Sequence, residues 1–167
     1  IFDRGRGVLP GALDAGIHLK IPFWQTVTHY NIRTHAYTMS SAQSASDYSA
    51  DESVQARSRD GQEVTMDATV LFHLAATDAP VIKQTLGSAE DYYDIVIKPK
   101  SRSILREIVA RFDALDLVSE KRAEIVSQMN TALTSSLADN KLTLDEVVLR
   151  DVNFSPEFSQ AIEEKQI

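Results

Sequence analysis

Histidines and carboxylates are the side chains here that could bind a metal or move a proton, and three basic residues share one predicted strand face. His29, Arg33 and His35 lie at odd positions of residues 25–39, a stretch with strand composition. A metal centre does not fit, because the six residues from His29 to His35 would cover about 20 Å of strand. Zinc ligands lie about 2 Å from the ion. We therefore interpret these three side chains as surface residues.

No other set of residues matches a known catalytic motif. The sequence lacks a glycine-rich phosphate loop, a Gly-x-Ser-x-Gly turn and a His-Glu-x-x-His helix, and it contains no cysteine. Asp145, Glu146 and Asp151 lie among apolar strand residues and do not form the alternating acidic loop of a calcium-binding hand. An enzyme built from dispersed residues stays open, and a concave pocket lined by His73 and several carboxylates would favour it. The motifs themselves predict no metal, no cofactor and no enzymatic activity.

Two sets of charged residues recur at every fourth position, which places each set on one face of a predicted helix. The basic set is Lys98, Arg102 and Arg106, and the acidic set is Asp116, Glu120 and Glu124. One interpretation is that both are ordinary solvated faces. The other is that the basic set of one subunit contacts the acidic set of its neighbour, so that the six residues form a subunit interface.

Charge and length restrict the class of protein. The chain has 167 residues, a formal net charge of −7 and a pI near 5.0, which argues against a nucleic-acid-binding surface. Its length suits one domain of ordinary size. No apolar run reaches the roughly 20 residues of a spanning helix. Because the sequence begins at Ile1 and ends within a helical pattern, we expect a fragment of a longer protein, whose flanking parts could hold a membrane segment.

The elements that position these residues are built around a strand predicted at residues 63–74. Apolar side chains occupy every even position from Val64 to Leu74, and polar ones occupy the odd positions except Leu71. This period of two predicts a long strand with one buried face. The preceding Asp60-Gly61 predicts a two-residue hairpin turn, with both residues at positive φ, to a partner strand in residues 54–59.

Helical periodicity follows the central strand. It predicts short helices at residues 79–86 and 90–97, a longer one from Pro99, and another capped by Ser119. Residues 40–53, rich in Ser, Ala and Asp, predict a mobile loop.

The last part of the chain returns to strand character at residues 142–154. The apolar phase slips between Leu144 and Val147, which predicts a bulge. Ser155-Pro156 then predicts the start of a helix. Phe158 and Ile162 begin an apolar stripe on that helix, which we expect to bury against neighbouring copies.

The N-terminal segment ends in two adjacent aromatic residues. Ile17, Leu19 and Ile21 alternate with polar residues, which predicts a strand that Pro22 ends. Phe23 and Trp24 then lie at a predicted loop tip. They either cap the core or anchor the domain at a bilayer interface, where Trp is favoured. The second interpretation makes Ile21, Pro22, Phe23 and Trp24 membrane-proximal.

Several stretches of the chain match the motifs of one known family. They are Phe2-Asp3-Arg4-Gly5-Arg6-Gly7-Val8, residues 16–24 beside the motif Gly-x-His-Phe-x-Ile-Pro-Trp, Asn31-Ile32-Arg33 at an Arg-containing strand, and residues 85–122. The most specific match is Asp151-Val152-Asn153-Phe154-Ser155-Pro156-Glu157-Phe158. Together these motifs resemble the SPFH (Band 7) family and, within it, the prohibitins. The resemblance covers nearly the whole chain, although the loop at residues 40–53 is longer than usual.

The resemblance implies both a fold and a function. The fold is an α+β SPFH domain in residues 1–154, a twisted antiparallel sheet packed by helices, running into a C-terminal helix in residues 155–167 that starts a coiled coil. The function is that of a non-enzymatic scaffold that assembles with copies of itself or a paralogue into a ring or cage. It organises a membrane microdomain and regulates a membrane-bound AAA protease.

The same resemblance implies a location. The scaffold is anchored in a bacterial or archaeal cell membrane or in the mitochondrial inner membrane, with this domain outside the lipid bilayer and without nucleic acid as a partner. The alternative is a soluble adaptor or ligand-binding module that does not associate with a membrane. An apolar segment preceding the domain in the full-length protein would distinguish the two.

Overall fold

Two sheets and five α-helices make up the described part of the chain, which in this computed structural model is residues 1–14, 16–40, 48–50 and 53–165. A small sheet holds β1 (Phe2–Asp3), β2 (Gly7–Val8) and β3 (Gln25–Thr26). A larger sheet holds β4 (His35–Met39), β5 (Tyr48–Ala50), β6 (Val54–Arg57), β7 (Glu63–Leu74) and β8 (Leu142–Phe154). The helices are α1 (Ala79–Thr85), α2 (Ala89–Tyr92), α3 (Lys98–Val109), α4 (Arg122–Ala138) and α5 (Pro156–Lys165).

The strand β7 is the centre of the larger sheet. Along one edge it pairs antiparallel with β8, from Val64 opposite Phe154 to Leu74 opposite Leu142. Two strands share its other edge, β6 beside the first part and β4 beside the later part, both antiparallel. β5 extends the sheet beyond β4 in the parallel direction. The predicted antiparallel sheet is therefore confirmed, with one parallel strand at its edge.

The core lies under the even-numbered face of β7, as the alternation predicts. The six apolar side chains of that face are each at most 2% exposed. Two helices, α3 and α4, supply seven of the residues buried in the same cluster, which are Leu105, Ile108, Val109, Ile125, Met129, Leu133 and Leu137. Within this core the Phe72 ring meets the Tyr92 ring edge to face, with centroids 6.4 Å apart. The sheet and its helical cover thus share one hydrophobic core.

The predicted helices around Pro99 join into one helical run. A π-helical turn, Tyr93–Ile97, connects α2 to α3, and the Lys98 N–H donates to the Tyr93 carbonyl. Proline has no N–H to donate to the carbonyl four residues earlier. The π-helical turn therefore lies just before Pro99, where one hydrogen bond of the α-helix is missing. π-Bulges are common at such breaks in a helix.

The helix predicted to be capped by Ser119 begins at Arg122, two residues later than that cap predicts, and the Ser119 hydroxyl accepts the Lys121 N–H over 3.3 Å. Residues Ala114–Val118 form a 3₁₀ helix, and α4 begins only at Arg122. A reciprocal cap begins the 3₁₀ helix, in which Asp113 accepts from that helix and Asp116 accepts from the Asp113 N–H over 3.4 Å. The extended backbone of Ser119 then separates the 3₁₀ helix from α4.

Two bulges interrupt β8, and side chains of α4 bond the backbone there. One bulge leaves Asp145 without an opposite residue, which confirms the predicted slip between Leu144 and Val147, and the second lies between Leu149 and Val152. The Val147 N–H donates to the Asn130 Oδ1 over 2.9 Å. The Arg122 guanidinium donates to the carbonyls of Leu149 and Arg150, both over 2.9 Å. The helix therefore satisfies backbone groups on the outer edge of the sheet.

The strand predictions for the N-terminal part are wrong in two places. Residues 17–21 form no strand, and the Ile17 and Leu19 side chains are almost fully exposed. Residues 25–39 are not one strand, because β3 ends at Thr26 and β4 begins at His35. Between them the Asn31 side chain accepts from the Arg33 N–H over 3.0 Å, a local turn that competes with strand pairing.

The environments of His29, Arg33 and His35 differ. His29 and Arg33 are exposed, as expected for surface residues. His35 is buried, with its ring centroid 5.9 Å from that of Phe72, so its interpretation as a surface residue is wrong. Its position opposite Phe72 in the β4–β7 pairing places it beside the core.

The stretch predicted as a mobile loop, residues 40–53, contains the strand β5. Residues 41–47 and 51–52 lie outside the described part of the chain. Both ends of the stretch bond to one carboxylate on β7. The Ser40 hydroxyl donates to the Asp67 Oδ2 over 2.6 Å, and the Ser53 hydroxyl donates to the Asp67 Oδ1. Asp67 therefore holds the two ends against the centre of the sheet.

The turn between β6 and β7 has three residues instead of the predicted two. The Ser58 N–H donates to the Gln62 carbonyl and the Gly61 N–H donates to the Ser58 carbonyl, both over 3.0 Å. Of the loop residues only Gly61 has a positive φ, +81°. A three-residue hairpin loop needs one left-handed residue at this position. Asp60 instead accepts the Ala114 N–H through its carboxylate over 3.2 Å, which ties the turn to the 3₁₀ helix.

We expect Gly61→Val to lower the free energy of unfolding by about 1–3 kcal/mol, because a β-branched residue resists a positive φ. No heavy atom lies within 4 Å of a Cβ added at this position, so the loss would come from backbone strain. Thermal melting followed by circular dichroism measures it. Gly61→Asn is the matched control, since asparagine tolerates the left-handed region and should lose less. Equal melting temperatures for the valine variant and the parent would contradict the turn geometry.

Candidate functional site

Exposed apolar side chains concentrate in the N-terminal segment, residues 1–34. Among the described residues, nine of the 14 large apolar side chains classed as exposed lie in this segment. They are Phe2, Leu13, Ile17, Leu19, Ile21, Phe23, Trp24, Val27 and Ile32. A cluster of this kind on one part of a polar domain is typical of a surface that contacts a partner or a membrane.

One part of this segment is a tight loop, Ile21 to Gln25, which presents two adjacent aromatic side chains and which we call the aromatic loop. The Gln25 N–H donates to the Ile21 carbonyl over 3.0 Å, and the Ile21 N–H donates to the Gln25 Oε1 over 3.1 Å. Phe23 adopts φ +66° at the tip, and its side chain is 93% exposed. A left-handed phenylalanine is uncommon and is held only where its surroundings fix the backbone. Phe23 does not cap the core, so that interpretation is wrong.

The carboxylate of Asp3 holds the aromatic loop against the small sheet. It accepts the Gly5 N–H over 2.9 Å, the Arg6 N–H over 3.1 Å and the Gln25 Nε2 over 3.0 Å. The Arg4 N–H in turn donates to the Trp24 carbonyl over 3.1 Å. Asp3 is itself buried. One carboxylate therefore connects both ends of the segment that presents the aromatic tip.

These bonds, first the one from Gln25 and then the one from the Gly5 N–H, hold the pKa of Asp3 below its ordinary value. A carboxyl whose pKa is lower in the folded state stabilises that state at pH values above its ordinary pKa. That contribution is lost as the pH falls through the lowered value. The Asp3 carboxylate that holds the aromatic loop is therefore fully charged at neutral pH.

The N-terminal segment is positive although the chain is negative. Residues 1–34 contain four Lys and Arg side chains, Arg4, Arg6, Lys20 and Arg33, and two aspartates. The whole chain has a formal net charge of −7. A positive, apolar surface on an acidic domain is complementary to an anionic, apolar partner.

A half-open cleft of about 690 Å³ lies between the N-terminal segment and the start of α1. Its apolar walls come from five exposed side chains of the segment, Phe2, Leu13, Leu19, Val27 and Ile32, and from α1 and the turn before it. Its lining residues with a charged or titratable side chain are Asp14, His18, Lys20, His29 and Tyr30.

His73 lies elsewhere, on the opposite face of β7 from the core. Its Nδ1 is 2.7 Å from the Asp145 Oδ1, and the Thr34 hydroxyl donates to the Asp145 Oδ2 over 2.8 Å. Neither the cleft above nor a shallower one beside β6 is lined by His73. The pocket of His73 and several carboxylates that would favour an enzyme is therefore not formed by these two clefts.

The predicted basic set lies on α3, but its two arginines bond within the domain. The Arg102 Nε donates to the Tyr37 hydroxyl over 3.2 Å, and the Arg106 Nε donates to the Gln55 carbonyl over 3.0 Å. Lys98 is exposed at the start of the helix. The structure thus gives Arg102 and Arg106 a role in joining α3 to the sheet.

The predicted acidic set spans two elements. Asp116 lies on the 3₁₀ helix, with its Oδ1 3.0 Å from the Lys121 Nζ. Glu124 lies in the first turn of α4, and Glu120 in the turn before that helix. The three residues therefore do not form one stripe on one helix.

The predicted stripe on the C-terminal helix begins inside the domain. Ser155 caps α5, with the Phe158 N–H 3.4 Å from its hydroxyl oxygen, which confirms the predicted helix start. Phe158 packs edge to face against Phe154, with ring centroids 5.4 Å apart. Ile162 lies on the described backbone of α5, and its side chain is outside the described part.

Asp3 and Gln25, which position the aromatic loop, are not among the residues predicted from the sequence. The Asp3-Arg4-Gly5 pattern signals a side-chain turn, and that signal could have identified Asp3. No local signal points to Gln25, whose partner lies 22 positions earlier in the chain.

Residues 2–167 match the family model described as SPFH domain / Band 7 family. The chain belongs to the Band 7 family. Its antiparallel sheet packed by helices is therefore the fold of an SPFH domain of α+β class. None of the helices in the described residues has the length and apolarity needed to cross a membrane.

Curated relatives of this SPFH domain are prohibitins. The chain is 32% identical over 167 residues to "Prohibitin-4, mitochondrial" of Arabidopsis thaliana, covering 100% of this chain and 54% of the relative. It is 33% identical over 168 residues to "Prohibitin 1" of Mus musculus, with 100% and 56% covered. It is 30% identical over 168 residues to "Prohibitin-1" of Saccharomyces cerevisiae, with 100% and 53% covered. The chain spans about half the length of these relatives and is a prohibitin-like SPFH domain.

Proposed function

We propose that this chain is the membrane-proximal domain of a non-enzymatic, prohibitin-like scaffold. The observation that carries the proposal is the exposed, apolar and positively charged N-terminal segment of a Band 7 domain. Aromatic residues are favoured at the membrane–water interface. Each Lys or Arg near an anionic lipid surface contributes about 1 kcal/mol of attraction. Ile21, Pro22, Phe23 and Trp24 are the membrane-contacting residues, and Asp3 holds them in place.

The scaffold assembles with copies of itself or with a closely related paralogue. Residues 155–167 are the start of a longer helix that packs against neighbouring copies beyond the domain of residues 1–154. A ring or cage built this way organises a membrane microdomain and regulates a membrane-bound AAA protease. Support comes from the resemblance to the prohibitins and from the names of the relatives, one of which is called mitochondrial. A mitochondrial inner membrane or a bacterial or archaeal cell membrane is the corresponding location.

We expect the 167-residue chain to bind vesicles that contain anionic phospholipid, and the double variant Phe23→Ser, Trp24→Ser to bind about tenfold more weakly or worse. Both side chains contribute apolar area that the bilayer would bury. Cosedimentation with vesicles of phosphatidylcholine and phosphatidylglycerol measures binding, and circular dichroism checks the fold.

The matched control is the double variant Leu115→Ser, Val118→Ser. These two side chains are each 50% exposed and lie on the 3₁₀ helix, outside the N-terminal segment. Binding by the control should equal that of the parent. A parent chain that does not bind vesicles would contradict the proposal and favour a soluble adaptor or ligand-binding module, which the cleft of about 690 Å³ would suit.

We expect the 167-residue chain to be monomeric or weakly associated, and a chain extended beyond Ile167 to form a large oligomer. The described part of α5 has 10 residues, fewer than the roughly 12–15 that a marginally stable isolated helix needs. Light scattering of both chains measures assembly. An extended chain that stays monomeric would contradict the scaffold.

The subunit contact between charged sets is tested with Lys98→Glu in the extended chain. Lys98 is the appropriate position because Arg102 and Arg106 also bond within the domain. Exposed ion pairs contribute only about 0–1 kcal/mol each, so the substitution should weaken the oligomer without abolishing it. Lys83→Glu on α1 is the matched control. If Lys98→Glu and Lys83→Glu weaken the oligomer equally, the proposed contact of Lys98 with Asp116, Glu120 and Glu124 is wrong.

A further inference from the structure

The cleft between the N-terminal segment and α1 has the size of a ligand site. Its volume of about 690 Å³ lies within the range of roughly 300–1,000 Å³ typical of small-molecule sites. The start of α1 and the turn before it, through Ala76, Ala79 and Pro80, form one wall of small apolar side chains. The N-terminal segment forms the other wall, so a ligand could enter without any rearrangement of the sheet.

The apolar side chains of this cleft are exposed in the free domain. Leu13 and Ile32 are about half exposed, and Leu19 is 98% exposed. Apolar area left in water at this density is unfavourable, and a bound hydrocarbon chain would cover it. The lining therefore favours a ligand with an extended apolar part.

Basic and titratable side chains line the same cleft. Lys20, His18 and His29 contribute nitrogen atoms, and Asp14 is the one acidic lining residue of this cleft. The His18 Nε2 donates to the Asp14 carbonyl oxygen over 2.8 Å, so that nitrogen is already bonded within the segment. Nitrogen donors beside an apolar groove match an anionic head group attached to a hydrocarbon chain.

The cleft and the aromatic loop are adjacent along the chain. Leu19 and Lys20 line the cleft, and the next residue, Ile21, begins the loop. A domain that presents Phe23 and Trp24 to a bilayer therefore brings Lys20, a lining residue of the cleft, close to the same lipids. A lipid that reached the cleft from the bilayer would keep its head group at the level of Lys20.

We propose that this cleft takes one acyl chain of an anionic phospholipid from the bilayer, with Lys20 and His29 contacting the phosphate. The bilayer as the source of the lipid rests on the proposed function. Binding of one lipid would cover the walls formed by Leu13, Leu19 and Ile32. The domain would then sense the anionic lipid content of its membrane in addition to resting on its surface.

The test uses the 167-residue chain and dihexanoyl phosphatidylglycerol below its critical micelle concentration, with binding measured by titration calorimetry and native mass spectrometry. We expect one lipid per chain for the parent. Ile32→Asp should weaken binding by about tenfold or more, and Lys20→Glu should separately weaken it by about fivefold, whereas Lys20→Arg should keep it. Val118→Asp is the matched control for Ile32→Asp, because the two side chains have similar exposure. Circular dichroism verifies the fold of each variant.

Two further measurements separate this inference from the proposed function. Phe23→Ser should reduce vesicle binding and leave the short-chain lipid bound, since Phe23 does not line the cleft. Dodecanoate, a soluble carboxylate amphiphile, serves as the second ligand. Failure of the parent to bind the phospholipid, binding of dodecanoate in its place, or an Ile32→Asp variant that binds as tightly as the parent would each overturn the inference, whatever the result with vesicles.

Discussion

Replacing Phe72 with alanine is expected to lower the free energy of unfolding by about 3–5 kcal/mol, the range typical of a buried phenylalanine. The side chain is 1% exposed and packs edge to face against Tyr92. β7 is paired along both edges, so its backbone cannot move inward to fill the space left by the ring. Urea denaturation followed by circular dichroism at constant protein concentration measures the loss.

His73→Ala is the matched control, because His73 is the next residue of the same strand and lies on the opposite face. Its side chain is 34% exposed and its partner Asp145 is 30% exposed. Loss of a partly solvated pair costs about 0–1 kcal/mol. Phe72→Ala should therefore lower the free energy of unfolding several times more than His73→Ala does. Losses of equal size would show that the even-numbered face of β7 is not the face that carries the core.

Replacing Asn130 with alanine is expected to lower the free energy of unfolding by about 1–3 kcal/mol, because the Val147 N–H beside the first bulge of β8 loses its acceptor. Alanine is the better helix former, and that gain of at most about 0.7 kcal/mol offsets part of the loss. The substitution also removes the bond from the Asn130 Nδ2 to the Val126 carbonyl. Chemical denaturation with urea, with the same slope for parent and variant, gives the difference.

Asn130→Asp separates the acceptor from the rest of the side chain. The aspartate keeps an oxygen at the position of Oδ1 and loses the amide donor, so it should retain most of the stability. A result in which the alanine variant is as stable as the parent would contradict the role of α4 in satisfying the edge of β8. Destabilisation by the aspartate equal to that by alanine would assign the effect to the amide nitrogen and the Val126 carbonyl.

The central part of the fold could be predicted because one physical requirement decides it. A strand that packs one face against helices must alternate apolar and polar residues, and residues 63–74 do so with a single exception. The bulge at Asp145 was predictable for the same reason, since an extra residue shifts the alternation by one position. Ser155 and Pro156 were similarly sufficient to place the start of α5.

The N-terminal segment could not be predicted by the same rule. Ile17, Leu19 and Ile21 alternate as strand residues do, yet the rule detects apolar side chains and not what covers them. In this domain they are exposed. His35 shows the converse error. It is a polar residue that the sequence predicts at the surface, and it is buried because β4 pairs with the later part of β7.

The position of the aromatic loop could be predicted, but the hydrogen bonds that hold it could not. Phe23 and Trp24 stand side by side after a proline, which marks a loop tip. The bonds that hold the tip join Asp3 to Gln25, and hydrogen bonds between residues so far apart leave no periodic trace in a sequence. Arg102 and Arg106 illustrate the same limit, since spacing places them on one face of α3 and cannot show that they bond to the sheet.

The pairing of β7 with β8 also fixes the order in which the chain can fold during synthesis. β6 and β7 are adjacent in sequence, so their hairpin can close within about 1–10 μs of becoming available. Val64 can pair only after Phe154 has been synthesised. At about 5–20 residues per second, the ribosome adds Phe154 several seconds after Val64. During that interval one whole edge of β7 has no partner strand, and an unpaired edge is where chains pair wrongly with one another. Completion of the fold is thus delayed until its last strand has been translated.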